Sequence, residues 1–207
     1  ESGHSAPSSA YGNAPDHLPH PAHLIHKIPD NVPSEMAPLA EPLTIALHAL
    51  HRAQLKAGEH VVIIGAGAIG LMAALSSLNY KATPILVDIV DERLQYAKSL
   101  GVPYVVNSAK ANVIEAVKDI TQGTMAQVVV EASGANSAIR STLDLASFAG
   151  RIAYTGWPKQ ETSLPTNLIT FKELDLRGSR TSAGEFEEAL QMLSTLNINP
   201  ADIVSKV

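Results

Sequence analysis

Short apolar runs and helical stripes alternate along the chain from residue 60 onward. Val61-Val-Ile-Ile64 runs unbroken into Gly65, as a strand covered on both faces would. Strands are predicted at 60–64, 84–87, 103–106, 127–130, 151–155 and 174–177. Helices are predicted at 67–79, 91–100, 112–121, 136–149 and 184–193, with Gly101, Gly123 and Gly150 as stops. An earlier helix, 42–55, carries Leu43, Leu47, Leu50 and Gln54 at helical spacing and ends at Gly58. This alternation predicts an α/β Rossmann fold, a doubly wound parallel sheet in the order 3-2-1-4-5-6 with right-handed crossovers. Residues 1–22, rich in Ser, Ala, Pro, Gly and His, show no apolar period and are expected to form a flexible tail. Order is expected from about Pro21 to Lys27. Residues 23–57 then form a connecting segment, and 58–207 the sheet domain.

Composition narrows this picture. The 207 residues are 45% apolar and only 4% aromatic, which favours a core of Ala, Val, Ile and Leu. The formal charge of −5, without a basic block, argues against nucleic acid or an anionic membrane as partner. The chain has no Cys, so it forms no disulfide and no thiolate–metal site of its own. No run approaches the length of a transmembrane helix, and the first residues lack the apolar core of a secretory signal. A cytoplasmic protein is the expectation.

The chemistry gathers at Gly65-Ala-Gly67-Ala68-Ile69-Gly70, between a predicted strand and a predicted helix. A lone G-x-G-x-x-G is weak, but here an acidic residue, Asp88, also ends the next strand, 23 positions after Gly65. Gly65 permits a tight turn, Gly67 leaves room for a pyrophosphate, and Gly70 allows close helix–strand packing. The helix beginning at Ala68 and Ile69 offers free N–H groups to the phosphates. Asp88 can accept both hydroxyls of an adenosine ribose and would repel a 2′-phosphate, which favours NAD over NADP. Ile89 after it offers no 2′-phosphate donor. The bland alternative is a glycine-rich turn in a non-binding α/β domain, with Asp88 a surface carboxylate.

Further motifs agree in order: Lys27-Ile-Pro-Asp-Asn-Val32, Leu39-Ala-Glu-Pro-Leu43, His48-Ala-Leu-His-Arg-Ala53, Glu131-Ala-Ser-Gly134, Gly150-Arg-Ile152 with Gly156, and Phe171-Lys-Glu-Leu174 with Arg177-Gly-Ser179. From about residue 21 to its end, the chain resembles the nucleotide-binding domain of zinc-dependent medium-chain dehydrogenases, in particular the polyol (sorbitol-dehydrogenase-like) branch. The resemblance implies hydride transfer between a secondary alcohol (a polyol, sugar or sugar acid) and NAD, with zinc polarising the alcohol oxygen. It implies that Arg93 lies near the adenosine ribose and Ser133 and Gly134 near the nicotinamide ribose. Thr155, Gly156 and Ser179 would line the carboxamide edge. It also implies a homodimer formed by pairing the strand near Leu174–Arg177 with its copy.

The family's zinc ligands, a Cys and a Gly-His-Glu motif in a preceding catalytic domain, have no match here, since Gly3-His4 is followed by Ser5. Residues 23–57 therefore look like a remnant of that domain with its connecting helix. Glu41, in its Glu-Pro-Leu context, would complete the zinc sphere of an intact parent, or it is a carboxylate stabilised by a helix N-terminus. The expectation is a truncated domain that binds NAD without turning over substrate, zinc belonging to the parent alone. A non-catalytic dinucleotide-binding module and a zinc-free quinone-reductase relative are the alternatives, and Glu41 argues against the second.

Other candidates carry less. His17, His20, His23 and His26 recur every three residues, but adjacent rings in an extended helix of that period start too far apart to share an ion. His48 and His51 stand at i, i+3 without a nearby third ligand and read as satisfied histidines. Tyr154 and Trp157 are either packing residues or a wall of the nicotinamide pocket.

Overall fold

A computed structural model of the chain describes Pro19 and residues 21–195. Its centre is one parallel sheet of six strands in the order β3-β2-β1-β4-β5-β6. The strands are β1 His60–Ile64, β2 Thr83–Asp88, β3 Tyr104–Asn107, β4 Ala126–Glu131, β5 Ala146–Tyr154 and β6 Asp175–Gly178. The helices are α1 Ala40–Arg52, α2 Ala68–Asn79, α3 Asp91–Ser99, α4 Val113–Ile120, α5 Asn136–Leu145, α6 Thr166–Lys172 and α7 Phe186–Leu193. The expected strand order is the observed one.

Side chains alternate across a strand, so each apolar run feeds two cores. Val61, Ile63, Leu86, Val128 and Val130 pack on one face with Leu43, Leu47 and Leu50 of α1, Met72 of α2 and Leu190 of α7. Val62, Ile64, Ile85, Val87, Val129 and Ile152 pack on the other with Val117 of α4 and Leu143 of α5. Helix α1 thus belongs to the same core as the sheet. Burying each such side chain contributes about 1.5–3 kcal/mol.

Two local expectations need correction. The helix predicted over 136–149 ends at Leu145, and Ala146 already pairs with Ala126 of β4. Its terminus is drawn together by Lys172, whose Nζ donates to the carbonyls of Leu143 at 2.9 Å, Asp144 at 3.1 Å and Ala146 at 2.9 Å. A cation over the last carbonyls is a favourable helix ending. Burial pushes the Lys172 ammonium pKa down, with Asp144 opposing. Helix α6 has no counterpart among the predicted helices. It buries no residue fully and stops where Glu173 turns left-handed at φ 53°.

His17, His20 and nearly all of the predicted tail lie outside the described residues. His23 falls in a short 3-10 turn, Ala22–Leu24, and His26 Nδ1 lies 3.6 Å from Glu187 Oε1.

Candidate dinucleotide site

The turn after β1 is built as its glycines require. Gly65 sits at φ 106°, a conformation side chains rarely adopt, and its N–H donates to Val87 C=O at 2.7 Å. A Cβ on Gly70 would lie 1.7 Å from the Gly65 carbonyl oxygen, so only glycine lets α2 approach the turn. Gly67 faces open space. The first bond of α2 runs from Leu71 N–H to Gly67 C=O at 2.9 Å, which leaves the amides of Ala68, Ile69 and Gly70 in the unsatisfied first turn. Such amides, together with the helix dipole, are suited to an anion.

Asp88 ends β2 and reaches across to this turn. Its Oδ2 accepts from Ala66 N–H at 2.6 Å, and Oδ1 from Ile89 N–H at 2.8 Å and Val90 N–H at 2.9 Å. Arg93, an exposed side chain on α3, places Nη1 3.9 Å from Oδ2. Ile89 is 68% exposed, which no packing role explains. A cavity of about 900 Å³ opens here between the C-terminal ends of the strands, lined by Gly65, Gly67, Asp88, Ile89, Arg93 and Ser133 among others. It lies at the β1/β4 switch point, where doubly wound sheets take their ligands.

The remaining expected residues form a second corner. Ala68, Ile69 and Gly70 stand in α2, and Gly134, Thr155, Gly156 and Ser179 stand at the ends of β4, β5 and β6, outside the lining of that cavity. Thr155 N–H and Gly156 N–H both donate to Glu131 C=O at 2.9 Å. Ser179 N–H donates to Tyr154 C=O at 2.9 Å, while the Ser179 Oγ is buried with no hydrogen-bond partner. Glu131, at 0% exposure, organises this corner. Its Oε1 accepts from Ser133 N–H at 2.9 Å, Ser133 O–H at 2.5 Å and Gly134 N–H at 3.0 Å. Sequence reasoning quoted the Glu131-Ala-Ser-Gly134 motif but did not single out Glu131 as a site residue. The available signal was its likeness to Asp88, an acidic residue closing an apolar strand.

Of the two aromatics, Tyr154 is half buried and its hydroxyl lies 2.8 Å from Thr142 Oγ1, whereas Trp157 is 77% exposed with the Arg180 guanidinium 6.0 Å from its ring. Burial, chiefly, raises the Tyr154 pKa.

His48 and His51 are satisfied away from this site. Their Nδ1 atoms lie 2.8 and 3.3 Å from Glu185 Oε1, at the start of α7. Burial works to raise the Glu185 pKa, but the bonds from His48, Ala183 N–H and His51 outweigh it and hold the carboxyl down to about 2. His51 Nε2 also meets the Tyr80 hydroxyl at 3.1 Å, and that hydroxyl donates to Glu188.

Zinc, which the resemblance implies, does not fit the described residues. None of their His, Asp and Glu side chains gather in a group of three able to hold a metal ion, and the chain has no Cys. Glu41 stands alone and exposed in the first turn of α1. Among the described residues no helix is long and apolar enough to cross a membrane.

Known proteins share this architecture. A family model described as zinc-binding dehydrogenase matches residues 68–195. An uncharacterized zinc-type alcohol dehydrogenase-like protein of Haemophilus influenzae is 65% identical over 94% of this chain and 57% of its own length. D-xylulose reductase of Saccharomyces cerevisiae is 31% identical over 85% of this chain and 51% of its own. A solved structure of a short chain alcohol dehydrogenase from E. coli CFT073, complexed with cofactor NADH, superposes with a TM-score of 0.79 at 30% identity, covering 88% of this chain and 54% of that one. The chain thus spans about half the length of the relatives it matches.

Proposed function

The chain belongs to the zinc-binding dehydrogenase family, and from that premise we propose that it is the NAD-binding domain of an oxidoreductase acting on a secondary alcohol such as a polyol, sugar or sugar acid. In that reaction the carbinol carbon gives a hydride to C4 of the oxidised nicotinamide and the hydroxyl loses its proton. This chain's residues bind and orient the cofactor. Glu41 could complete a zinc sphere only with ligands from outside the described residues, and no step is assigned to the metal.

One observation carries the cofactor assignment. The Asp88 carboxylate is tied to the glycine turn by Ala66 N–H while facing a cavity large enough for a nucleoside. Ribose hydroxyls entering there can donate to the same oxygens. A 2′-phosphate would instead bring a second anion against Asp88, with Ile89 beside it offering no donor. The amides of Ala68, Ile69 and Gly70 would take the pyrophosphate. The nicotinamide half would then fall toward Ser133, Gly134, Thr155, Gly156 and Ser179. The solved relative that contains NADH supports the choice of a nicotinamide cofactor.

We also propose a homodimer formed through β6. That strand is an edge of the sheet, and Asp175 and Gly178 are exposed on it; pairing with a second copy would satisfy its open backbone groups. A chain that sediments as a monomer at high concentration would remove this part. The proposed location is the cytoplasm, where a Cys-free chain has no disulfide to lose.

Calorimetry with NADH and NADPH tests the cofactor assignment. NADH is expected to bind at least tenfold more tightly, and Asp88→Ala to shrink that gap. Equal or tighter binding of NADPH would overturn it.

A further inference from the structure

We propose that Glu131 tunes the site for the oxidised cofactor, its buried negative charge favouring the cationic nicotinamide of NAD⁺ over the neutral ring of NADH. This rests on the placement of the nicotinamide half at the β4/β5 corner.

Glu131 is fully buried, and every bond of its carboxylate is one that an anion accepts: two from Ser133, and the Gly134 N–H shared between Oε1 at 3.0 Å and Oε2 at 3.2 Å. Among the described residues no Lys, Arg or His forms an ion pair with it. Other acidic residues near the strand ends differ: Asp88 faces Arg93, Asp91 pairs with Lys110, and Glu59 pairs with Arg151. Buried charges are ordinarily paired, so a charge left without a counter-ion is unusual.

The geometry then directs the charge. Gly156 lies directly against the carboxylate, since a Cβ there would come 2.4 Å from Oε2 and 2.3 Å from Gly134 N. Nothing bulkier than a backbone turn therefore separates Glu131 from the end of β5. A cofactor whose adenosine ribose sits at Asp88 lays its other nucleoside across this side of the sheet. The one formal charge that distinguishes NAD⁺ from NADH is on the ring of that nucleoside. Oxidised cofactor would bind preferentially and the reduced product would leave more readily, which suits alcohol oxidation.

The competing role for Glu131 is purely structural, as a clamp on Ser133 and Gly134. A clamp serves both redox forms equally, whereas a charge does not. The discriminating quantity is therefore the ratio of the two dissociation constants, measured in the whole protein and in Glu131→Gln by calorimetry for NAD⁺ and fluorescence titration for NADH. At an effective dielectric near 20 and a separation of about 10 Å, the variant should weaken NAD⁺ roughly fifteenfold more than NADH. Equal weakening of both forms would overturn the proposal. Glu131→Asp keeps the charge while drawing the carboxylate back from Ser133 and Gly134, so its ratio should stay near the parent's. A clearly shifted ratio in Glu131→Asp, whether or not Glu131→Gln folds, would assign the bias to loop geometry and likewise overturn it. Failure of the parent to bind either form would instead refute the proposed function, so the two failures are distinguishable.

Discussion

Asp88 and Glu131 end the two strands that flank β1, and both give their carboxylates to backbone N–H groups: Glu131 to the loop that follows it, Asp88 to the loop that follows it and to the turn after β1. Asp88 does so at the rim of a cavity, with the Arg93 guanidinium at 3.9 Å. Glu131 does so fully buried, with Gly156 pressed against it and no ion-pair partner among the described residues. An acceptor at a rim can exchange a backbone donor for a ligand hydroxyl. An acceptor behind a backbone wall cannot, and it acts on a ligand only through loop position and field. On the proposed reading, the same residue chemistry at the same structural position would serve contact on one side of the site and electrostatics on the other.

The largest effect should come from the element both corners share. Gly70→Ala would force a methyl group to within 1.7 Å of the Gly65 carbonyl, and Gly65 has little room to give, since a Cβ placed on it would lie 3.1 Å from Ser133 N. The turn must move, disturbing the Ala66 bond to Asp88 and the loop held by Glu131 together. Overpacking of this kind costs about 3 kcal/mol, or roughly 6–12 °C in Tm for a chain of this size. Calorimetric melting and NADH titration should show that loss with at least tenfold weaker binding. Loss of affinity with Tm unchanged would mean the corners are not mechanically joined.

Glu185 sharpens the comparison from outside, as a buried carboxylate satisfied largely by side chains that titrate and far in sequence from either corner. Its pKa is depressed to about 2. Its contribution to stability is therefore present above the ordinary carboxylate range near 4.3 and is lost as pH falls toward 2. Glu185→Gln should cost about 2 kcal/mol at neutral pH, and denaturation curves of parent and variant should converge between pH 4 and 2. NADH affinity should be unchanged. A gap that persists below pH 2 would exclude the hydrogen-bonded carboxylate charge as its source.

The smallest effect is expected at Arg93. Its side chain is 56% exposed and its approach to Asp88 is long, so the pair is worth under about 1 kcal/mol. Arg93→Ala should change NADH affinity less than threefold and leave Tm within a degree or two. A larger loss would make Arg93 a contact residue in its own right and weaken the contrast between the corners.

The sheet order was legible because the inner strands β1, β2 and β4 hold short apolar runs, and parallel strands covered on both faces leave that mark directly. The tight turn at Gly65 and Gly70 was legible because a left-handed turn and a close helix approach both need glycine there. What escaped depended on distant partners. The end of α5 is set by Lys172, 26 positions after Ala146, and nothing in residues 136–149 announces it. Helix α6 buries none of its residues fully, so its apolar stripe is faint. Glu131 escaped because its burial, and the lack of an ion-pair partner for it among the described residues, depend on elements far from it in sequence.

The most direct test of the contrast is a crystal structure of the protein with NAD⁺ bound. The predicted result is an adenosine ribose within hydrogen-bond distance of the Asp88 carboxylate, a pyrophosphate over Ala68 to Gly70, and a nicotinamide beside Gly134 and Gly156 with no atom touching Glu131. A cofactor that bypasses Asp88, or whose nicotinamide half lies away from the β4/β5 corner, would contradict it.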